Sequence, residues 1–133
     1  MNNWRLFKLM YVVILEPDRI IAKLLKRQLA SRNILSDIAP TPDSAMNLID
    51  SSRPDAIVTE VSLSGHSVFE FLYEMRTYPD LQDIPVIIYT STTLEDDVRR
   101  AHDWLLLAIT NEFYKPNTSI DTVVDRIASI LES

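Results

Sequence analysis

The sequence predicts a single α/β domain built on an open, doubly wound parallel sheet. Its 133 residues are a usual length for one domain with one core. Short apolar runs alternate along the chain with segments in which apolar residues recur at helical spacing. The short runs are almost continuously apolar, which is typical of strands that helices cover on both faces of a parallel sheet.

The individual elements follow from these runs and from the residues that bound them. The predicted strands, rich in β-branched residues, are β1 (residues 10–15), β2 (34–39), β3 (56–59), β4 (85–89) and β5 (112–114). The predicted helices are α1 (about 19–31), α2 (from 42), α3 (about 67–77), α4 (about 94–107) and α5 (from about 118). Three helices follow residues that commonly cap a helix: Asp18, Thr41 before Pro42, and Thr93 with Asp96 three residues later.

Composition and charge argue against several classes of function. With 47% hydrophobic and 24% charged residues, the chain has the composition of an ordinary globular protein. A net charge of −6 argues against nucleic-acid binding, which depends on neutralising phosphates with Lys and Arg. The single glycine, Gly65, argues against the glycine-rich loops of flavin and nucleotide binders, and no G-x-S-x-G hydrolase motif is present. The absence of cysteine fits a cytoplasmic protein.

The first residues are interpreted as an extension rather than a targeting segment. The apolar run at 10–15 is too short to span a bilayer and lacks a small-residue cleavage site. We therefore assign residues 1–9 to an N-terminal extension and 10–133 to the domain, and expect no membrane association. Trp4 and Phe7 in the extension are candidates for docking on the domain's own edge or on a partner.

Polar residues follow four of the predicted strands at their carboxyl ends. Glu16 and Asp18 follow β1, Glu60 follows β3, Thr90 follows β4 and Lys115 follows β5. In doubly wound sheets, ligands bind outside these strand ends, at the point where the strand order reverses. The sequence therefore places its candidate site there.

Three segments at the same strand ends carry a family resemblance. The segments PDAIVTEVSLSG (54–65), IPVIIYTS (84–91) and FYKP (113–116) resemble the receiver domain of two-component response regulators. The resemblance covers roughly residues 10–132. It implies a flavodoxin-like (βα)5 fold with strand order 2-1-3-4-5, and it suggests a cis Lys115–Pro116 bond.

The resemblance also implies roles for the candidate site residues. Glu60 takes the position of the phosphoacceptor aspartate, and Thr90 and Lys115 take those of the phosphoryl-binding hydroxyl and lysine. The positions equivalent to the Mg²⁺ site are Glu16, Asp18, Glu60 and Ser62.

The chain departs from the family pattern at three of its positions. The carboxylate of Glu60 extends about 1.5 Å farther than that of aspartate, and the acid pair after β1 is reduced to Glu16 followed by Pro17. Glu112 stands where the switch aromatic is expected, while Phe113 faces the other side of the strand. We therefore expect a weak or lost Mg²⁺ site, no resident cofactor and no enzymatic activity.

The residues by themselves leave several roles open. Glu60 and Lys115 form either an imitation of the phosphorylated state or an ordinary ion pair. Glu16 and Asp18 either favour a helix N-terminus or bind a divalent cation weakly. Thr90 and Ser91 are either loop hydroxyls that satisfy backbone groups or members of a phosphoryl site. His66 and His102 are expected at the surface.

Two functions remain, and they differ in class. The first is a receiver-like interaction module that works without phosphorylation. The second is a functional phosphoacceptor receiver that uses Mg²⁺ and an unusual acceptor, Glu60 or Asp18. By resemblance, a histidine kinase, an effector or a second copy would bind the face formed by α4, β5 and α5, which includes Trp104, Leu105, Glu112 and Tyr114. The apolar stretch 104–107 is either part of this interface or part of the core.

Overall fold

The computed structural model describes residues 9–132, so Trp4 and Phe7 lie outside the described residues. Five parallel strands form one sheet in the order β2-β1-β3-β4-β5, which confirms the predicted strand order. The strands are β1 (Tyr11–Leu15), β2 (Leu35–Ala39), β3 (Ala56–Thr59), β4 (Val86–Thr90) and β5 (Ile109–Tyr114). The helices are α1 (Arg19–Ser31), α2 (Pro42–Ser51), α3 (Val68–Met75), α4 (Asp96–Ala101) and α5 (Ile120–Glu132).

Two apolar cores lie on opposite faces of the sheet. Along β1, Val13 and Leu15 pack into the core beneath α2 and α3, while Val12 and Ile14 pack into the core beneath α1 and α5. This alternation follows from the two-residue period of a strand. Because both faces are buried, the strand is apolar throughout, as the sequence predicted.

Local capping signals were accurate for the first two helices. The carboxylate of Asp18 accepts hydrogen bonds from the backbone N–H groups of Ile20 and Ile21, at 2.9 and 3.2 Å. Thr41 and Ser44 form a reciprocal capping box, with Pro42 in the first turn of α2. These caps fix the residues at which α1 and α2 begin after β1 and β2. No helix among residues 9–132 is long and apolar enough to cross a membrane.

The prediction for α4 is wrong at both ends. The helix begins after Glu95 rather than Thr93, and it ends at Ala101 rather than near 107. His102 has extended backbone, and its ring stacks on Phe69 at a centroid distance of 3.9 Å. This contact ends the helix and leaves His102 half-buried rather than at the surface, whereas His66 is exposed as predicted.

The segment after α4 is a compact turn whose residues differ widely in solvent exposure. Leu107 is fully buried, whereas Leu105 is 92% exposed. The Trp104 indole N–H donates to the carbonyl oxygen of Arg99 at 3.0 Å, which satisfies a group at the end of the helix. The turn lets β5 begin at Ile109, three residues earlier than predicted, and β5 pairs with β4 across a register shift between Val86 and Ile87.

The Lys115–Pro116 bond is trans, although the family resemblance suggested cis and the residues themselves left the isomer open. No peptide bond between described residues is cis, and this one lies within the 3₁₀ turn Lys115–Asn117.

Candidate functional site

Four strand ends bring the predicted polar residues to one location. Glu16, Glu60, Thr90 and Lys115 lie at the carboxyl ends of β1, β3, β4 and β5, and their side chains contact one another. Parallel pairing of adjacent strands places these ends at the same edge of the sheet. The convergence is a consequence of topology, because the residues are far apart in sequence.

Glu60 is the centre of this cluster and is almost fully buried, with 6% of its surface exposed. Its Oε2 atom accepts hydrogen bonds from the Val61 N–H, at 2.6 Å, and from the Thr90 hydroxyl. Its Oε1 atom accepts from the N–H and the hydroxyl of Ser91, both at 3.2 Å, and from Lys115 Nζ at 3.0 Å. Five donors therefore surround one carboxylate.

These donors decide the charge state of Glu60. Burial by itself would raise the pKa of the Glu60 carboxyl, because it disfavours the charged form. Hydrogen bonds from Thr90, Lys115 and the backbone of Ser91 and Val61 outweigh that effect and lower the pKa below its ordinary value. Glu60 is consequently held as an anion.

Glu16 forms the second half of the ionic network. Its Oε1 lies 2.6 Å from Lys115 Nζ, and its Oε2 accepts from the Asp18 N–H at 3.1 Å. Burial raises the pKa of Glu16 even though Lys115 and the Asp18 N–H act in the opposite direction. Burial would lower the pKa of Lys115, but its hydrogen bonds to Glu16 and Glu60 raise it instead.

The remaining residues of the predicted metal site point elsewhere. The Asp18 carboxylate caps α1, and Ser62 is an exposed residue in a two-stranded hairpin formed by Ser62–Leu63 and His66–Ser67. No group of three histidine or acidic side chains that would suit a metal ion occurs within residues 9–132.

Sequence reasoning missed two contributors to the site. The Val61 N–H and the Ser91 N–H both donate to Glu60, and a backbone N–H leaves no mark in the sequence. Ser91 itself was recognised as following β4, but its pairing with Glu60 depends on the register between β3 and β4.

The predicted interaction face is only partly exposed. Glu112 receives two hydrogen bonds from the Arg99 guanidinium, at 3.0 and 2.9 Å, so an ion pair joins α4 and β5 at the position where the resemblance led us to expect an aromatic. Trp104 is half-buried against the core, near Phe69. Leu105 and Tyr114 are exposed, Tyr114 to 38%.

A five-stranded doubly wound sheet thus carries acidic groups and a lysine at its carboxyl edge, the arrangement that the sequence resemblance predicted. Residues 12–109 match the family model of the response regulator receiver domain. This match covers most of the chain, so the protein belongs to the response regulator receiver domain family. The family consists of signalling domains of two-component systems, which interact with proteins such as histidine kinases and effectors.

Individual relatives are distant. The response regulator MprA of Mycolicibacterium vanbaalenii is 28% identical over 80 residues, which are 60% of this chain and 34% of that protein. The chain thus spans about a third of the length of the MprA relatives that it matches.

Solved structures show the same fold. The chemotaxis response regulator CheY4 of Vibrio cholerae superposes with a TM-score of 0.79 at 16% identity, covering 92% of this chain and 99% of that one. A two-component response regulator from Clostridium difficile superposes with a TM-score of 0.77 at 20% identity, covering 92% and 96%.

Proposed function

We propose that this domain signals through protein contacts without phosphoryl transfer, with Glu60 in place of the phosphoacceptor aspartate. The observation that carries the proposal is the saturation of the Glu60 carboxylate. A carboxylate has about four lone-pair sites, and five donors already surround this one. Nucleophilic attack on phosphorus needs a free lone pair with room along the line of approach. The five donors leave Glu60 no free lone pair, and its burial leaves no room for the approach of a phosphoryl group.

The same contacts support a second part of the proposal. Glu60 directs its negative charge to Thr90, Ser91 and Lys115, the groups that a phosphoryl oxygen would meet by family resemblance. These groups are held by the protein's own carboxylate, so the domain keeps one arrangement of its β4 and β5 ends. Its signalling state is then set by which protein binds it, and the domain acts without Mg²⁺ and without enzymatic activity.

The partner in this proposal is a protein in the cytoplasm that contacts the face formed by α4, β5 and α5. Leu105 and Tyr114 supply exposed apolar and aromatic surface there. The Arg99–Glu112 ion pair, which joins α4 to β5, adds fixed charge to the same face. A histidine kinase, an effector and a second copy of the chain all remain candidate occupants.

A backbone NMR titration tests the proposal. The ¹⁵N-labelled protein is titrated with millimolar Mg²⁺ and then with beryllofluoride, which imitates a phosphoryl group. We expect the amides of Glu16, Asp18, Glu60, Thr90 and Lys115 to remain unmoved, because their polar groups already have partners.

The exposed acids Asp96 and Asp97 on α4 serve as an internal control, since they report non-specific cation binding. Shifts that cluster at the carboxyl edge of the sheet, and that vanish in Glu60→Gln, would show instead a receiver that accepts phosphate.

A further inference from the structure

Strand β2 forms one edge of the sheet and pairs, among the described residues, only with β1. The Leu35 N–H and the Ala39 carbonyl oxygen form hydrogen bonds of 2.9 and 3.0 Å with residues that flank β1, so the backbone groups of both face β1. Because successive residues of a strand direct these groups to opposite sides, those of Ser36 and Ile38 face the open edge. Such an edge can pair with a further extended segment.

Two grooves flank this open edge, one on each face of the sheet. The groove beside α1 has a volume of about 340 Å³, and the groove beside α2 has a volume of about 440 Å³. Leu9, Leu35 and Ser36 border both grooves, and Leu9 and Leu35 are 52% and 53% exposed. This arrangement suits an extended peptide, since backbone hydrogen bonds hold such a peptide to the edge strand while its alternate side chains enter the two grooves.

The Ser36 side chain indicates independently that a further polar group belongs at this edge. Ser36 is 9% exposed, and its hydroxyl has no hydrogen-bond partner among residues 9–132. A buried hydroxyl without a partner is unfavourable, because it has given up its hydrogen bonds to water. A chain that lies along β2 brings its own backbone N–H and C=O groups beside Ser36.

We propose that residues 1–8 of this chain bind the open edge of β2 as an additional antiparallel strand. These residues directly precede Leu9, which borders both grooves. Crossing from β1 to the far side of β2 takes two strand spacings, roughly 10 Å, which about three extended residues cover. Residues 2–6 are then enough to run beside the five residues of β2.

The order of side chains in this segment matches the two faces of the edge. Trp4, Arg5 and Leu6 alternate between apolar and basic, so a strand would place Trp4 and Leu6 on one face and Arg5 on the other. The groove beside α2 contains the Asp37 carboxylate, whereas the groove beside α1 is lined mostly by apolar side chains. With Arg5 beside Asp37, the two apolar side chains enter the apolar groove.

Charge and attachment favour this segment over a second copy of the chain. Residues 1–8 contain Arg5 and Lys8 and no acidic residue, whereas the whole chain has a net charge of −6. Symmetric pairing of β2 with the β2 of another copy would set two Asp37 carboxylates opposite each other at the strand centre, where like charges are destabilising. Attachment through Leu9 also gives the segment a high effective concentration at the edge. The bound segment closes the sheet edge to other chains.

Native-state hydrogen exchange of the full chain tests the proposal. The Ser36 and Ile38 N–H groups face the open edge, so the segment should protect them, whereas the Asp37 N–H faces β1 and is an internal control. Removing residues 1–8 should reduce protection of Ser36 and Ile38, relative to Asp37, by about tenfold, as loss of one hydrogen bond implies.

Point variants keep the test decisive if the shortened chain does not fold. Trp4→Ser removes the aromatic side chain and Arg5→Glu reverses the charge, so each should reduce protection at Ser36 and Ile38. Trp4→Phe and Arg5→Lys are the matched controls and should retain it. A synthetic peptide of residues 1–8, added to the shortened chain, should restore protection.

Three results overturn the proposal. Free exchange of Ser36 and Ile38 in the full chain shows that no strand binds the edge. Protection that survives removal of residues 1–8 assigns the edge to another group. Protection that rises with protein concentration, together with a dimer in sedimentation, assigns it to a second copy. None of these results bears on Glu60, so the proposed function is tested separately.

Discussion

Glu16 and Glu60 share one lysine, yet their pKa values move in opposite directions. Glu60 has five hydrogen-bond donors, which outweigh the effect of burial and lower its pKa. Glu16 has only the Lys115 ammonium and the Asp18 N–H, so burial dominates and raises its pKa. The number of donors around each carboxylate therefore decides which of the two is the better-stabilised anion.

Replacing Glu60 with glutamine should cost about 2 kcal/mol of unfolding free energy at neutral pH, the range for hydrogen bonds to a charged group. A carboxyl whose pKa is lowered on folding stabilises the protein at pH values above its unfolded pKa. That contribution is lost as the pH falls through the folded pKa. The stability difference between the unaltered chain and Glu60→Gln should therefore shrink on acidification. Urea unfolding at neutral pH and at about pH 3, well below the ordinary glutamate pKa of about 4.3, measures this difference.

Glu16→Gln is the matched comparison for this measurement. Because the Glu16 pKa is raised, its ionised form is the less favourable one in the folded state, and its stability contribution falls as the pH rises through the ordinary and then the raised pKa. Glu16→Gln should therefore cost less than Glu60→Gln at neutral pH. Equal losses in the two variants would contradict the difference in donor number that we describe.

At the scale of elements, the connection between α4 and β5 departs most from its prediction. A buried arginine fixes the position of this connection. The Arg76 guanidinium at the end of α3 donates hydrogen bonds to the carbonyl oxygens of Leu81, Ile84 and Leu107. These three oxygens belong to the approach to β4 and to the turn before β5. Arg76 thus joins α3 to both segments, and burial lowers its pKa.

The same turn contains an alanine in the left-handed region. Ala108 has φ 55°, a conformation that costs a residue with a Cβ atom about 1–2 kcal/mol. Its carbonyl accepts the Val86 N–H at 2.9 Å, so the conformation starts the pairing of β4 with β5. Glycine would adopt this conformation without steric cost, and alanine occupies the position instead.

Ala108→Gly should stabilise the protein by roughly 0.5–1 kcal/mol, because glycine adopts positive φ without steric cost but loses more backbone entropy on folding. Thermal and urea unfolding measure the change. Ala30→Gly makes the same chemical change at an exposed position of helix α1 and should destabilise by a similar amount. Destabilisation by Ala108→Gly would show that the turn gains nothing from relief of its backbone strain.

At the scale of the whole molecule, burial is uneven across the sheet and its helices. Four of the five residues of β1 and all of those of β3 and β4 are buried, whereas no residue of α4 is. Regions with few buried apolar contacts open at lower free energy than the core. The centre of the sheet therefore forms the stable part of the domain, and α4 lies at its less stable side.

Native-state hydrogen exchange should rank the elements accordingly. Amides of β1, β3 and β4 should exchange only through global unfolding, while those of α4, which has no buried residue, exchange through local opening. The slopes of exchange free energy against urea distinguish the two processes, since global opening exposes more surface. Protection of α4 equal to that of β1 would contradict this distribution of stability.

The sequence by itself determined most of the architecture. Continuous apolar runs identified the strands, and the residues Asp18, Thr41 and Pro42 located the starts of two helices. These are local signals, carried by residues close together in the chain. Parallel topology then placed Glu16, Glu60, Thr90 and Lys115 at one edge, because parallel strands end on the same side.

Only the tertiary structure decided which donors and acceptors of the site pair with one another. The five donors around Glu60, the position of Lys115 between two carboxylates, and the use of Asp18 as a cap depend on side-chain and backbone contacts made after folding. The early end of α4 likewise depends on the stacking of His102 on Phe69, a contact between residues 33 positions apart. Periodicity reports which residues are buried, but contacts between segments distant in the chain determine where a helix stops and which groups bind one another.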